Sequence, residues 1–111
     1  MLSIIILTKN EEKMISTCIE SVKWADEIIV ADNGSTDGTL DRVKSLESTP
    51  IQSGSRVKVI KFAEQDFATL RNKALEEAKG DWVLYVDADE RVLEPLKEEI
   101  LNRSRNKFGM T

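Results

Sequence analysis

The chain has 111 residues, 41% hydrophobic and 32% charged, which fits one soluble globular domain over residues 1–111 with little room for a second. It contains no histidine and one cysteine, Cys18, which excludes Ser-His and Cys-His nucleophile pairs, histidine-ligated zinc and any internal disulfide. Without histidine, chemistry must fall to carboxylates, and a net charge of -4 without a long basic run argues against nucleic acid as a partner.

The apolar stretch 2–7 is too short for a signal peptide or a membrane span. Its Ile4-Ile5-Ile6-Leu7 run has no polar alternation, as expected of a parallel strand covered on both faces. After Thr8, Asn10 is placed to N-cap a helix with Glu11 and Glu12 in its first turn and Met14, Ile15, Cys18, Ile19 and Val22 as its apolar stripe. Cys18 then reads as a small buried residue in a reducing compartment. Ile28-Ile29-Val30-Ala31 repeats the buried-strand signature, and Asp32 to Gly38 gathers turn formers and caps. Leu40, Val43 and Leu46 predict a second helix, ended by a surface loop from Ser48 to Ser55. Val57, Val59 and Ile60, alternating with Lys58 and Lys61, predict a shorter strand nearer a sheet edge. Phe67, Leu70, Ala74 and Ala78 predict a third helix between Asp66 and Lys79, with Gly80 as its C′ residue. Trp82 to Val86 is again continuously apolar and delivers Asp87-Ala88-Asp89 at its carboxyl end. A last helix begins near Pro95, and residues 102–111 read as a frayed tail.

This β-α-β-α-β-α-β-α order predicts an α/β, Rossmann-like three-layer sandwich with a mainly parallel sheet in the order 3-2-1-4. The switch in winding direction then opens a crevice beside Thr8 and Asp87, bordered by Asp32. Three strands deliver polar groups to that edge: Thr8-Lys9-Asn10-Glu11, Asp32-Asn33-Gly34-Ser35 and Asp87-Ala88-Asp89. Carboxylates two residues apart on a turn can both face a ligand, and their hard oxygens suit Mg²⁺ or Mn²⁺ bridging a diphosphate. Each motif also has a plainer reading: a turn and cap for Asp32 to Ser35, a cap for Asn10-Glu11, a surface ion pair for Arg71, a polar loop for Asp87 to Asp89. The methionines and tryptophans sit in apolar patterns and read as core.

Taken together in this order, Thr8-Lys9-Asn10-Glu11, Asp32 to Thr39, Arg71-Asn72, and Gly80-Asp81-Trp82 leading to Asp87-Ala88-Asp89-Glu90-Arg91 resemble the family 2 glycosyltransferases of GT-A fold. The resemblance runs from about Ser3 to Leu101 and is nearest to bacterial enzymes of lipopolysaccharide-core and surface-glycan synthesis. It implies inverting sugar transfer from a nucleotide sugar, a UDP-sugar first of all, with Mn²⁺ or Mg²⁺ as cofactor. It also implies that Thr8, Lys9, Asn10 and Glu11 line the nucleotide pocket, Asp32 holds uracil or ribose, and Arg71 contacts base or phosphates. Asp87 would approach the ribose and share the metal, Asp89 would be its main ligand, and Glu90 would support them.

Members of that family continue past this point, and their later half supplies the acceptor site and the general base, so the resemblance makes this chain the truncated, donor-binding half. Glu64, Asp66 and Glu94 are spare carboxylates but do not match the family's base. The location implied is cytoplasmic or peripheral to the inner face of the membrane, with pairing to a second copy or to a C-terminal half. The alternative is a non-catalytic nucleotide-binding or interaction fragment. Phosphatases with an Asp-x-Asp pair carry it after the first strand, and dinucleotide oxidoreductases need a glycine-rich turn after theirs; neither pattern is present.

Overall fold

The computed structural model describes residues 1–47, 50, 51, 54, 56–62 and 66–105. Strands β1 (Leu2–Thr8), β2 (Glu27–Asp32), β3 (Lys58–Lys61) and β4 (Trp82–Asp87) alternate with helices α1 (Ile15–Ser21), α2 (Thr39–Glu47), α3 (Phe67–Glu77) and α4 (Glu94–Arg105). The sheet is wholly parallel in the expected order β3-β2-β1-β4. Its register sets Thr8 opposite Asp32 and Leu7 opposite Asp87.

All residues of β1 and β2 are buried, because strand alternation sends their branched side chains into two separate cores. Leu2, Ile4, Ile6, Ile28 and Val30 meet Ile15, Cys18 and Ile19 of α1 and Val43 of α2, with Ile100 of α4 packed against them. Ile5, Leu7, Ile29 and Ala31 meet Leu70 and Ala74 of α3. Each fully buried isoleucine contributes about 1.5–3 kcal/mol over an exposed one. Trp24 and Trp82 pack against the first core, as their apolar surroundings predict. β3 exposes Lys58 and Lys61, as an edge strand does.

Several local expectations are corrected. The continuous apolar sequence of β4 predicts cover on both faces, yet only Val86 is buried and Tyr85 is 36% exposed. β4 is the outer strand of the sheet, and the helix on Tyr85's side, α3, packs over β1 and β2. The predicted surface loop from Ser48 to Ser55 contains Ile51, which is 4% exposed and joins the first core together with Val43 and Val57, because burying its apolar side chain is favourable. Positions 48, 49, 52, 53 and 55 lie outside the described residues. Asn10 does not cap α1, whose first residue, Ile15, follows Met14 with no side-chain cap. Asn10 instead adopts φ 54 and turns its side chain to the loop after β2. α3 is capped by Asp66, which accepts from the Thr69 amide at 2.7 Å. The tail expected to fray from Asn102 is helical through Arg105, and 106–111 lie outside the described residues.

Gly80 is not the C′ residue of α3, which already ends at Ala78 in an extended conformation. Its small size answers a different need. Gly80 N–H donates to Ser3 Oγ at 2.8 Å, Ser3 Oγ donates to Glu27 Oε1 at 2.7 Å, and Lys79 N–H donates to the same carboxylate at 2.9 Å. Ser3 and Glu27 are both buried, so this network satisfies a charge that would otherwise be costly. A Cβ on Gly80 would stand 2.5 Å from Ser3 Oγ, 2.7 Å from Ser3 N and 2.8 Å from Met1 O, the last two being backbone. Gly80→Ala is therefore expected to cost about 1–3 kcal/mol through overpacking. A urea titration measures it as a lower midpoint with unchanged slope; an unshifted midpoint contradicts the crowding.

Candidate functional site

The carboxyl ends of β1, β2 and β4 open into a cleft of about 240 Å³. Leu7, Thr8, Lys9 and Glu11 line it from β1, Asn33 from β2, Leu70 from α3, and Asp87, Ala88 and Asp89 from β4. Both β1 and β2 run into loops that are tied together by their own polar groups. Asn33 N–H donates to Thr8 O at 2.9 Å, extending the ladder one step beyond the strands. Asn10 N–H donates to Ser35 Oγ at 2.9 Å, and Asn10 Oδ1 accepts from the Thr36 and Asp37 amides at 2.7 and 3.3 Å. Glu11 N–H donates to Thr39 Oγ1 at 2.9 Å. Asp37 accepts from the Thr39 amide and hydroxyl and from the Glu12 amide, and the Thr39 hydroxyl foremost holds its carboxyl below the usual range. Asparagine tolerates φ > 0 better than other side-chain-bearing residues, which suits Asn10 to this knot.

Asp32 shares the sheet end with Thr8 but does not line the cleft. It is 2% exposed, and its carboxylate accepts from the Gly34 amide at 3.2 Å and from the Ser35 amide and hydroxyl. Gly34 makes that turn at φ 84. The plainer reading of Asp32 to Ser35 as a turn is thus realised, and it presents Asn33, which the strand-end motif includes without giving it a role of its own, to the cleft. Thr8 behaves oppositely. It is 4% exposed, and its hydroxyl has no hydrogen-bond partner among the described residues. A buried hydroxyl left unsatisfied is costly, which makes Thr8 on the cleft wall a candidate for contact with a ligand.

The acidic turn is built around a buried alanine. Ala88 is 2% exposed and its N–H donates to Leu7 O at 3.1 Å, which leaves Asp87 and Asp89 exposed on either side. Glu90 closes the turn twice: its N–H donates to Asp87 O at 2.9 Å and its Oε1 accepts from Asp87 N–H at 2.9 Å. Among the described residues no three His, Cys, Asp or Glu side chains could by themselves hold a metal. Two carboxylates on one cleft wall nevertheless fit Mg²⁺ or Mn²⁺, which take one or two carboxylates and complete their shell with substrate phosphates and water. The cleft's Glu11, Asp87 and Asp89 stand against Lys9, so an anionic ligand would gain from a divalent cation there.

Arg71 and Asn10 do not line the cleft. Arg71 stacks on Tyr85, its Cζ 5.5 Å from the ring centre, across the open face of β4. Asp66 is occupied as the cap of α3, Glu94 opens α4, and Glu64 lies outside the described residues. Sequence patterns had no means of finding the Tyr85 contact, because it joins a helix to a strand that periodicity alone would bury.

A doubly wound parallel sheet with a polar cleft past its strand ends defines a Rossmann-like sandwich of the GT-A class, and solved structures of that class superpose on it. The chain belongs to glycosyl transferase family 2, whose model matches residues 3–108. It is 36% identical over 97 residues to the lipopolysaccharide core biosynthesis glycosyltransferase LpsC of Rhizobium meliloti, covering 87% of this chain and 34% of that protein. The crystal structure of S. aureus TarS 1-349 in complex with UDP matches with TM-score 0.76 and 30% identity, covering 96% of this chain and 32% of that one. The mannosyltransferase PcManGT of Pyrobaculum calidifontis, in complex with GDP-Man and Mn²⁺, matches with TM-score 0.74 and 27% identity, over 84% of this chain and 28% of that one. The chain thus spans about a fifth to a third of the length of the curated relatives it matches. Among the described residues no helix is long and apolar enough to cross a membrane.

Cys18 lies directly behind the acidic turn, fully buried, with its Sγ 3.6 Å from Asp87 O. Burial first, and then the charges of Glu90, Asp89 and Asp87, push its thiol up to about 12 from an ordinary 9.0. It is a packed thiol and no nucleophile, as its place in the α1 stripe predicts. An unfolded chain ionises this group near pH 9, so the thiol stabilises the fold below that pH, and its contribution is lost as pH rises toward about 12. Stability should therefore fall between these limits more steeply in the parent than in Cys18→Ala. Urea midpoints compared across that window check it, and parallel declines would refute the shift.

Proposed function

We propose that the cleft binds a nucleoside-diphosphate sugar, with UDP as the nucleotide, through Mn²⁺ or Mg²⁺ held by Asp89 and Asp87, for inverting transfer in the synthesis of a cell-surface glycan. The observation that carries this reading is the meeting of a buried Thr8 hydroxyl, without a partner among the described residues, with two exposed carboxylates across one cleft. The divalent cation would offset charge on the departing diphosphate, chemistry that asks no proton of a histidine-free protein. Thr8 and Glu11 would bind the nucleoside from β1, Asn33 would approach it from β2, and Lys9 would contact the phosphates. Asp32 and Asn10 would act indirectly, by holding the loops that present these groups. Arg71, set on Tyr85, would reach the donor from the α3 side. The similarity to LpsC supports a surface glycan as the product, and the lone buried thiol suits the cytoplasm or the inner face of the membrane.

The acceptor site and general base are assigned to the remainder of a protein of the relatives' length, which would dock against the open face of β4 around Tyr85; self-pairing there is the other arrangement. Donor binding without transfer is accordingly the behaviour proposed for these 111 residues alone. UDP should bind more tightly with Mn²⁺ than without, and Asp89→Ala should remove the difference, with a loss of about tenfold or more. Calorimetric titration of parent and variant, each with and without metal, decides this; four equal affinities would sink the assignment. Transfer is expected to be absent when the chain is incubated with labelled UDP-sugar, Mn²⁺ and glycan acceptors, because in-line positioning and proton removal supply much of the rate. Robust glycosylation abolished by Asp89→Ala would overturn that division of labour.

A further inference from the structure

We infer that α1 sets the shape of the acidic turn from behind, with Ser21 and Cys18 as positioning residues for Asp87 and Asp89; this rests on reading those two aspartates as metal ligands. Ser21 and Cys18 lie three residues apart on α1 and so share one helix face. Ser21 Oγ uses both of its capacities at once: it donates to Cys18 O at 2.7 Å and accepts from Val92 N–H at 3.1 Å. Cys18 Sγ–H points at Asp87 O, 3.6 Å away, the same carbonyl that receives the Glu90 amide. The segment carrying both aspartates is therefore clasped by one helix at each end, at Asp87 and at Val92. Ala88 and Val92, 2% and 8% exposed, anchor it in the first core. Asp89 stands between the clasps with its side chain exposed, and on the turn itself the spacing of the two carboxylates is held by Glu90 and by the buried Ala88. A thiol is a weak donor, so Ser21 carries the larger share.

Groups that orient metal ligands without touching the metal typically change its affinity by about 10–100-fold. In the full 111-residue chain, Ser21→Ala should weaken Mn²⁺ binding in the presence of UDP by about tenfold. It should leave metal-free UDP binding unchanged and speed hydrogen exchange at the Val92 amide, with the Ile5 and Ile29 amides unaffected. Ser21→Thr, which keeps the hydroxyl, should restore both properties, and Cys18→Ala should show a smaller loss of Mn²⁺ affinity. Unchanged Mn²⁺ affinity and Val92 exchange in Ser21→Ala would overturn the inference. So would an equal loss of metal-dependent and metal-free UDP binding, which is the mark of general destabilisation. If Ser21→Ala does not fold, Cys18→Ala decides, and parent-like Mn²⁺ binding there overturns the inference. A parent chain whose UDP binding ignores Mn²⁺ would remove the metal reading itself, and the positioning role with it.

Discussion

β1 is paired along both edges and buried on both faces, and the position of every other element follows from satisfying it. A seven-residue strand with no exposed residue needs a partner for each of its backbone groups, since none can turn to water. β2 and β4 supply those partners in parallel, which obliges the connections to cross over the faces as helices. Parallel pairing also makes all strands point one way, so the polar residues that end them collect at a single rim. Thr8, Asp32 and Asp87 become neighbours for a backbone reason, before any side chain attracts another.

At that rim the polar groups divide into two kinds. Asp32, Asn10, Asp37 and Glu90 are engaged with amides and hydroxyls of the loops themselves. Thr8, Asp87 and Asp89 face the cleft instead. The first group rigidifies the loops and the second is held ready in them, an arrangement that lowers the ordering cost of binding. The opposite rim carries a self-contained network of the first kind. Ser3, Glu27 and the amides of Lys79 and Gly80 close on one another, leaving a structural joint where the strands begin.

The architecture was legible in the residues because β1 and β2 carry long branched runs and the helices between them carry clear 3.6-residue stripes; right-handed crossovers implied the parallel sheet, while 3-2-1-4 was one of the orders they allow. The rim was legible as a meeting of motifs but not in its division of labour. Asn10 and Asp32 look like ligands in one dimension, and their engagement with the loop after β2 has no mark in the residue pattern. Gly80 looked like a helix terminator because it follows a helix, when its lack of a side chain serves contact with a residue 77 positions away. β4 misled for a related reason: an apolar run reports what a strand can tolerate on its faces, whereas its actual cover depends on where α3 lies. The resemblance to a known family contributed the ligand class, which composition and periodicity by themselves do not specify.

The joint between the first strand and the turn before the last has a meaning in time as well as space. Asp81 N–H donates to Met1 O at 3.0 Å, and the pairing of Leu2 with Trp82 closes a loop of most of the chain. Loop closure of that length is entropically slow, and parallel pairings across it are late events in folding. During synthesis β1 precedes its partner β4 by some eighty residues, and it stays apolar and paired on one edge only until they have followed it. The acidic wall of the cleft, with Asp87 and Asp89, is therefore the last part of the site to form, and a nascent chain has the loops after β1 and β2 knotted together well before that wall closes the cleft from the other side.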